Sequence, residues 1–272
     1  MKNNSLIILL IFVLSLLMII CIGFMIFGIN NKVSFVGKYT KKEYLFEEEI
    51  SKIKTSLTDT DVEVRKYDGN KVNVIYQNKG KNKEIDVHLN NDILEISDKG
   101  LSNFCFGFCF FDRKVTIYVP NDYKGSFDLD TKSGDIEILN NFNNSFDIRT
   151  ISGDINGKNL GKNNIKTVSG DIELGDLFDM SKISTTSGDI SIDCINKSLS
   201  ISSVSGEVSI DKINISSDSY ISTVSGDVVI KKANDIYVET KSVSGDSSIK
   251  NNNRKSDIVL NVKTTSGDID VN

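Results

Sequence analysis

The clearest indication of the fold lies in the stretches TVSGDIEL (residues 167–174), TTSGDISI (185–192), SVSGEVSI (203–210) and TVSGDVVI (223–230). Each carries a Ser-Gly-Asp or Ser-Gly-Glu triplet, followed by a short run with apolar residues at its first and third positions. The triplet occurs eight times, at intervals of 17 to 22 residues. A period near 20 residues in β-type sequence is typical of a solenoid, in which each repeat forms one coil. The eight triplets are Ser133-Gly134-Asp135, Ser152-Gly153-Asp154, Ser169-Gly170-Asp171, Ser187-Gly188-Asp189, Ser205-Gly206-Glu207, Ser225-Gly226-Asp227, Ser244-Gly245-Asp246 and Ser266-Gly267-Asp268.

Three positions of the repeat are apolar in most copies: the fifth residue before the glycine, and the second and fourth residues after it. In one repeat these residues are Ile183, Ile190 and Ile192. Coils that stack strand on strand bring equivalent positions into columns, while the neighbouring residues point outward. The sequence therefore predicts an all-β fold, a right-handed single-stranded β-helix (a β-solenoid) of about eight coils of about 19 residues, with these columns inside.

The triplets are predicted to form structural corners between the two runs of each coil. Glycine adopts a positive φ without steric cost, and aspartate can bond its own following backbone in an Asx turn. The Thr or Ser three residues before each glycine is expected to form hydroxyl ladders between coils. Calcium binding is the alternative, but each coil offers one carboxylate where Ca²⁺ takes about six to eight oxygens. We therefore predict no metal and no cofactor at the corners.

The region ahead of the repeats, residues 31–124, contains short runs with a period of two, such as Lys71–Tyr76. These runs, separated by turn-forming residues, predict an antiparallel β lead-in. The chain thus divides into an apolar N-terminal segment (1–30), the β-rich region (31–124) and the repeat region (125–272).

One segment of the lead-in, NFCFGFCFFD at residues 103–112, departs from the pattern. As a continuous strand this segment would hold Cys105 and Cys109 about 13 Å apart, which is too far for a disulfide. As a hairpin tip it would bring the two cysteines opposite each other, and an oxidising exterior would then permit a disulfide. Its aromatic residues either pack on their own sheet or form a loop that contacts a membrane or a partner. Two cysteines alone are at most half of a metal site. The aromatic residues are Phe104, Phe106, Phe108, Phe110 and Phe111.

Residues 6–29 are 24 consecutive uncharged residues, and as a helix of roughly 36 Å they would span a bilayer. A cleaved signal peptide would have a shorter apolar stretch and a small-residue cleavage site, so we expect a retained single-pass anchor. Cys21 lacks the preceding small residue that lipoprotein processing requires. Basic residues are more numerous after the segment than before it, but long domains translocate largely regardless of such charges. We expect the bulk of the chain outside the cytoplasm.

The order of these features resembles a known family. The features are, in order, an apolar N-terminal segment, strands such as DVEV (61–64) and ILEI (93–96), the element IYVP (117–120) and tandem SGDI units. This arrangement is similar to that of the bacterial putative-adhesin family with β-strand repeats, whose members are membrane-anchored envelope proteins. The resemblance extends from about residue 40 to 272. It implies a β-repeat fold with a role in adhesion, envelope-stress sensing or scaffolding, and it supplies no catalytic residues.

Function is predicted from shape and by elimination. A net charge of −5 argues against a nucleic-acid partner. A polysaccharide-acting β-helix enzyme needs carboxylates and basic residues on long insertions, whereas these coils are short and even. We therefore predict a non-enzymatic surface protein whose repeats bind a protein or a cell-envelope polymer at several points. A cytoplasm-facing regulator of a membrane partner is the other interpretation. The final strand, in TTSGDIDVN (264–272), is predicted to leave a free edge through which the C-terminal coils self-associate.

Overall fold

The computed structural model describes residues 39–79, 84–99 and 112–272, and the regular elements among them are β-strands. Seven strands precede residue 121: β1 (Tyr39–Phe46), β2 (Lys52–Ser56), β3 (Asp61–Tyr67), β4 (Val72–Lys79), β5 (Glu84–Asn90), β6 (Ile93–Lys99) and β7 (Asp112–Pro120). Sixteen strands follow: β8 (Ser126–Asp130), β9 (Ile136–Ile138), β10 (Phe146–Arg149), β11 (Ile155–Gly157), β12 (Asn163–Lys166), β13 (Ile172–Leu177), β14 (Ser181–Thr185), β15 (Ile190–Ile195), β16 (Leu199–Ser203), β17 (Val208–Ile213), β18 (Ser219–Ser222), β19 (Val228–Ile230), β20 (Tyr237–Ser244), β21 (Ser247–Ile249), β22 (Val259–Ser266) and β23 (Ile269–Val271).

The strands form two sheets that share one apolar core. Sheet A has twelve strands in the order β1-β4-β7-β3-β9-β11-β13-β15-β17-β19-β23-β21, and sheet B has eleven in the order β5-β6-β2-β8-β10-β12-β14-β16-β18-β22-β20. From β8 onward, even-numbered strands belong to sheet B, odd-numbered strands belong to sheet A, and neighbours within a sheet are parallel. Each repeat therefore contributes one strand to each sheet and forms one coil, which we name by its triplet glycine.

The apolar columns that the sequence predicts are confirmed. Ile172 lies opposite Ile190, Ile190 lies opposite Val208, and all three are at most 1% exposed. In sheet B, Ile165 lies opposite Ile183 in the same way. Full burial of one such side chain contributes roughly 1.5–3 kcal/mol, so the columns are the main source of stability along the stack.

The predicted antiparallel lead-in is correct for β1, β4 and β5 and wrong for β2 and β3, whereas β6 and β7 each have one antiparallel and one parallel neighbour. β1, β4 and β5 pair antiparallel. However, β2 and β3 pair parallel with β8 and β9, and β6 and β7 pair parallel with β2 and β3. The reason is that these strands carry the same inward apolar alternation as the repeats: Val62 and Val64 lie opposite Ile136 and Ile138, and all four are buried. Two additional coils therefore extend the stack beyond the first triplet.

The order of coils at the opposite end of the stack differs from their order in the sequence. β23 pairs with β19 on one side and with β21 on the other, and β22 lies between β18 and β20. The Gly267 coil is thus inserted between the Gly226 coil and the Gly245 coil. The prediction of a free edge at the final strand is therefore wrong, because both sides of β23 are paired.

The coil that ends the stack carries polar residues at positions that are aliphatic in other coils. Thr240 and Ser247 occupy two of the inward columns, and the Ser247 hydroxyl donates to Thr240 Oγ1 at 2.7 Å. Asn252, in the segment that follows, bonds both backbone groups of Val238: it accepts from the N–H at 3.0 Å and donates to the carbonyl at 2.9 Å. Polar inward positions and a partly covered edge reduce the tendency of an end coil to pair with another chain.

Several sequence expectations lie outside the described residues: the apolar segment 6–29, the pair Cys105 and Cys109, and the phenylalanines of residues 104–111. In the part of the chain that the structure describes, no helix has the length and apolar character needed to cross a membrane.

Candidate functional site: the Ser-Gly-Asp corners

Each triplet lies where the chain passes from sheet B to sheet A, and its glycine approaches the backbone of the adjacent coil. A Cβ atom added to Gly170 would lie 1.8 Å from the carbonyl oxygen of Gly153, which no side chain can tolerate. Among the triplet glycines only Gly206, Gly245 and Gly267 have a positive φ. The expectation that a positive φ selects glycine is therefore wrong for the other repeats, in which the close approach of two coils selects it.

The aspartates of the triplets bond to the next coil rather than to their own turn. The Asp171 backbone N–H donates to Asp154 Oδ1 at 2.9 Å, and the Asp189 N–H donates to Asp171 Oδ1 at 2.9 Å. The predicted Asx turn is thus replaced by a ladder that satisfies the backbone N–H of the third triplet residue in seven of the eight triplets, all but that of Asp227. The other members of this ladder are Asp61, Asp135, Glu207, Asp227, Asp268 and Asp246.

The buried threonines three residues before the glycines act within their own coil. The Gly170 N–H donates to Thr167 Oγ1 at 3.0 Å, and the same bond forms at three other corners. The predicted hydroxyl bonds between coils are replaced by these bonds within the coil at Thr150, Thr167 and Thr185. Hydroxyl bonds between coils do occur elsewhere: Thr131 donates to the Thr60 carbonyl at 3.3 Å, Ser242 to the Gly267 carbonyl at 3.3 Å, and Thr264 to the Gly226 carbonyl at 3.5 Å.

One corner was missed by the sequence analysis because it has no glycine. It joins β2 to β3, and Asp61 Oδ1 there accepts the Asp135 N–H at 3.0 Å. The signal that could have found it is the run DVEV (61–64), which matches DIEI (135–138) in the first repeat. Burial raises the pKa of the Asp61 carboxyl above its ordinary value, and the hydrogen bond from the Asp135 backbone opposes the rise.

The outer surface of sheet A beside the corners is acidic. Over the nine layers from β3 to β21, the two outward columns nearest the corners contain thirteen acidic residues and no basic residue. The corresponding columns of sheet B contain six basic and four acidic residues. The two faces that meet at the corners therefore differ in the sign of their charge. We call the thirteen residues the acidic face: Asp61, Glu63, Asp135, Glu137, Asp154, Asp171, Glu173, Asp189, Glu207, Asp227, Asp246, Asp268 and Asp270.

Seven of the thirteen carboxylates of the acidic face accept a backbone N–H bond from an adjacent coil. Across the described ranges, no three His, Cys, Asp or Glu side chains are grouped so that they could hold a metal ion. Glu63 is an exception to the general exposure of this face: burial raises its pKa, but hydrogen bonds from Arg65 and Lys114 outweigh that effect and lower the pKa overall.

Stacked parallel coils with repeated corners define an all-β protein of the solenoid class. The family model described as Toastrack DUF4097 matches residues 50–272, and the chain belongs to this family. No curated protein sequence matches the chain.

Two solved structures share the fold. A crystal structure of a "putative adhesin" from Bacteroides fragilis aligns with a TM-score of 0.55 at 16% identity, covering 86% of this chain and 97% of that chain. A crystal structure of a "putative lipid binding protein" from Parabacteroides distasonis aligns with a TM-score of 0.50 at 15% identity, covering 87% and 98%. At these sequence identities the structural similarity shows a shared fold and nothing further.

Proposed function

We propose that this chain is a non-catalytic envelope protein, anchored by residues 6–29, that uses the side of its coil stack to bind partners at several points. The proposal rests on the repetition of the corner. Eight triplets present similar groups at a spacing of about 4.8 Å, and hydrogen bonds between coils hold their backbones in place. Rigid repetition favours multivalent contact, because each further contact is intramolecular once the first has formed.

The composition of the surface supports a protein partner or a neutral polymer over a polyanion. Eleven of the thirteen carboxylates of the acidic face, all but the ion-paired Glu63 and Glu137, have no basic partner among the described residues, so most of this face repels an anionic polymer. The names of the two solved relatives, an adhesin and a lipid-binding protein, are compatible with a non-enzymatic binding role. Right-handed winding is part of the same proposal, since crossovers between parallel strands are overwhelmingly right-handed.

Protease treatment of intact cells tests the location. Cleavage of the repeat region in intact cells supports an extracytoplasmic position, whereas protection until the membrane is permeabilised supports the cytoplasm-facing regulator. Retention of cells that carry the chain on immobilised envelope proteins and envelope polymers then tests binding. Retention no greater than that of cells without the chain would overturn the binding role.

Self-association through the C-terminal coils is a second proposal. It is favoured by β20, which pairs with β22 on one side only, and opposed by the polar pair Thr240 and Ser247 at the end of the stack. Sedimentation velocity of the purified full chain over a range of concentrations decides it, because end-to-end association makes the sedimentation coefficient rise with concentration.

A further inference from the structure

A row of exposed aliphatic side chains runs along the corners. It is formed by the residue two positions before each glycine, and in stack order its members are Lys132, Ile151, Val168, Thr186, Val204, Val224, Thr265 and Val243. We call this row the corner ridge. Its five aliphatic members are 44% to 74% exposed, and they are half of the large hydrophobic residues that lie exposed in the described part of the chain.

Nothing in the fold accounts for aliphatic residues in this row. In seven of the eight repeats the preceding residue, such as Thr167, points inward and is buried, whereas its neighbour, here Val168, points to solvent. An aligned row of exposed aliphatic residues is unusual on a soluble surface and is typical of a contact surface.

The ridge is held in place by the backbone. The Ser187 N–H donates to the Val168 carbonyl at 2.8 Å, and the Ser225 N–H donates to the Val204 carbonyl at 2.8 Å. The same bond connects Ser266 to Val224 at 2.8 Å. A partner therefore meets a preorganised row, and little conformational entropy is lost on binding.

A cleft on the sheet A side of the corners, whose Asp171 follows the ridge residue Val168 by three positions, requires a positive charge in the partner. It has a volume of about 320 Å³, lies on the acidic face, and is lined by four carboxylates: Asp171, Glu173, Asp189 and Glu207. The ion pairs of the acidic face involve Glu63 and Glu137, and none among the described residues involves the four carboxylates of the cleft. The cleft is complementary to a lysine or arginine head group.

We propose that the corner ridge and this cleft together bind an extended, cationic segment of polypeptide that carries aliphatic side chains. The aliphatic side chains lie on the ridge, and a basic side chain enters the cleft. From Ile151 to Val243 the ridge crosses seven coils, and the six steps between them span about 29 Å, which an extended segment of about nine residues covers. This inference rests on the proposed binding role and names the class of its partner.

The probe is a labelled synthetic peptide of four Lys-Val-Pro triplets, titrated with the purified full chain and followed by fluorescence anisotropy. Proline prevents the peptide from adding as a strand to a sheet edge, so the signal reports the side of the stack. We expect saturable binding that weakens at least about tenfold between roughly 50 and 300 mM salt, because exposed charges are screened. Peptides of Glu-Val-Pro and of Lys-Ser-Pro triplets are expected to bind at least about tenfold more weakly, since one lacks the charge and the other the aliphatic group.

Paired variants locate the contact. Val204→Ser with Val224→Ser removes two ridge side chains, and Phe178→Ser with Met180→Ser removes two exposed apolar side chains elsewhere. Only the first pair is expected to weaken binding, by about tenfold. For the charges, Glu173→Gln with Glu207→Gln is expected to weaken binding about fivefold, whereas Glu239→Gln on sheet B leaves it unchanged.

The results separate this inference from the proposed function. Binding that is absent, or that is unaffected by both site-directed pairs while thermal unfolding is unchanged, overturns the inference. If cells that carry the chain are still retained on envelope material in that case, the binding role stands and its contact surface is elsewhere. If the peptide binds as expected but the repeats are protected from protease in intact cells, the peptide site stands and the surface location fails.

Discussion

Replacing Gly153 by alanine tests the close approach of coils more directly than any other change. Gly153 and Gly157 lie in one coil, and alanine at each adds one methyl group. At Gly153 the added Cβ would lie 1.9 Å from the Gly134 carbonyl oxygen and 2.5 Å from its carbonyl carbon, both of which are backbone atoms. At Gly157 the nearest atoms are the ends of the Leu160 and Leu174 side chains, each at 3.0 Å.

The cost at Gly153 follows from the bonds that hold the two coils together. To reach a tolerable contact, the Gly134 carbonyl must retreat by roughly 1 Å, because carbon–oxygen contacts below about 3 Å are strongly repulsive. That movement breaks the Ser152 N–H bond to the Lys132 carbonyl, now 3.0 Å, and the Asp154 N–H bond to Asp135 Oδ1, now 2.9 Å. Two lost bonds at about 1 kcal/mol each, with an overpacking cost of about 1–3 kcal/mol, predict a destabilisation of about 3–5 kcal/mol.

Alanine at Gly157 enters an inward column in which other coils carry Leu174 and Ile192, and flexible side-chain ends can move aside. Alanine also reduces the conformational freedom of the unfolded chain, which stabilises this variant by about 0.4–1 kcal/mol. We therefore expect its free energy of unfolding to lie within about 1 kcal/mol of that of the wild type. Urea denaturation followed by circular dichroism measures both variants against the unmodified chain. Equal midpoints for Gly153→Ala and Gly157→Ala would refute the steric account of the glycine column.

Three further predictions concern the core, a corner and the end of the stack. Ile190→Asp is expected to unfold the central coils, because it buries a charge in an apolar column. The control variant Lys166→Asp changes an exposed residue and should leave the melting temperature nearly unchanged. Equal melting temperatures of the two variants would contradict the register. Asp61→Asn keeps an Oδ1 acceptor and removes a carboxylate whose pKa is raised by burial, so at neutral pH the charged form opposes folding. We expect the variant to be more stable than the wild type at pH 7; the difference should shrink as the pH falls below the raised pKa and vanish below the ordinary pKa of an aspartate, where the folded and unfolded states are both protonated. A variant less stable than the wild type at pH 7 would exclude this explanation. Thr240→Val with Ser247→Ile makes the inward positions of the end coil apolar and should increase self-association, measured by sedimentation velocity. An unchanged sedimentation coefficient would show that these two polar residues do not prevent the end coil from pairing with another chain.

The inward-facing residues of each coil follow from the amino-acid sequence. A period of 17 to 22 residues, with apolar residues at fixed distances from each glycine, specifies which side chains face inward, and Ile172, Ile190 and Val208 lie where that pattern puts them. The pattern is local, because a strand with period-two alternation has one apolar face whatever its neighbours are. The positions of the triplets and the solenoid class follow from the same local information.

The order in which the coils stack is evident only from the tertiary structure. Parallel coils pair through backbone groups and equivalent apolar columns, so the Gly267 coil can stack on the Gly226 coil as well as the Gly245 coil could, and sequence order does not fix the choice. The polar residues Thr240 and Ser247 become intelligible only when the Gly245 coil is known to be the end of the stack. The need for glycine at the corners is likewise invisible in one repeat, because the atom that excludes a side chain belongs to the adjacent coil.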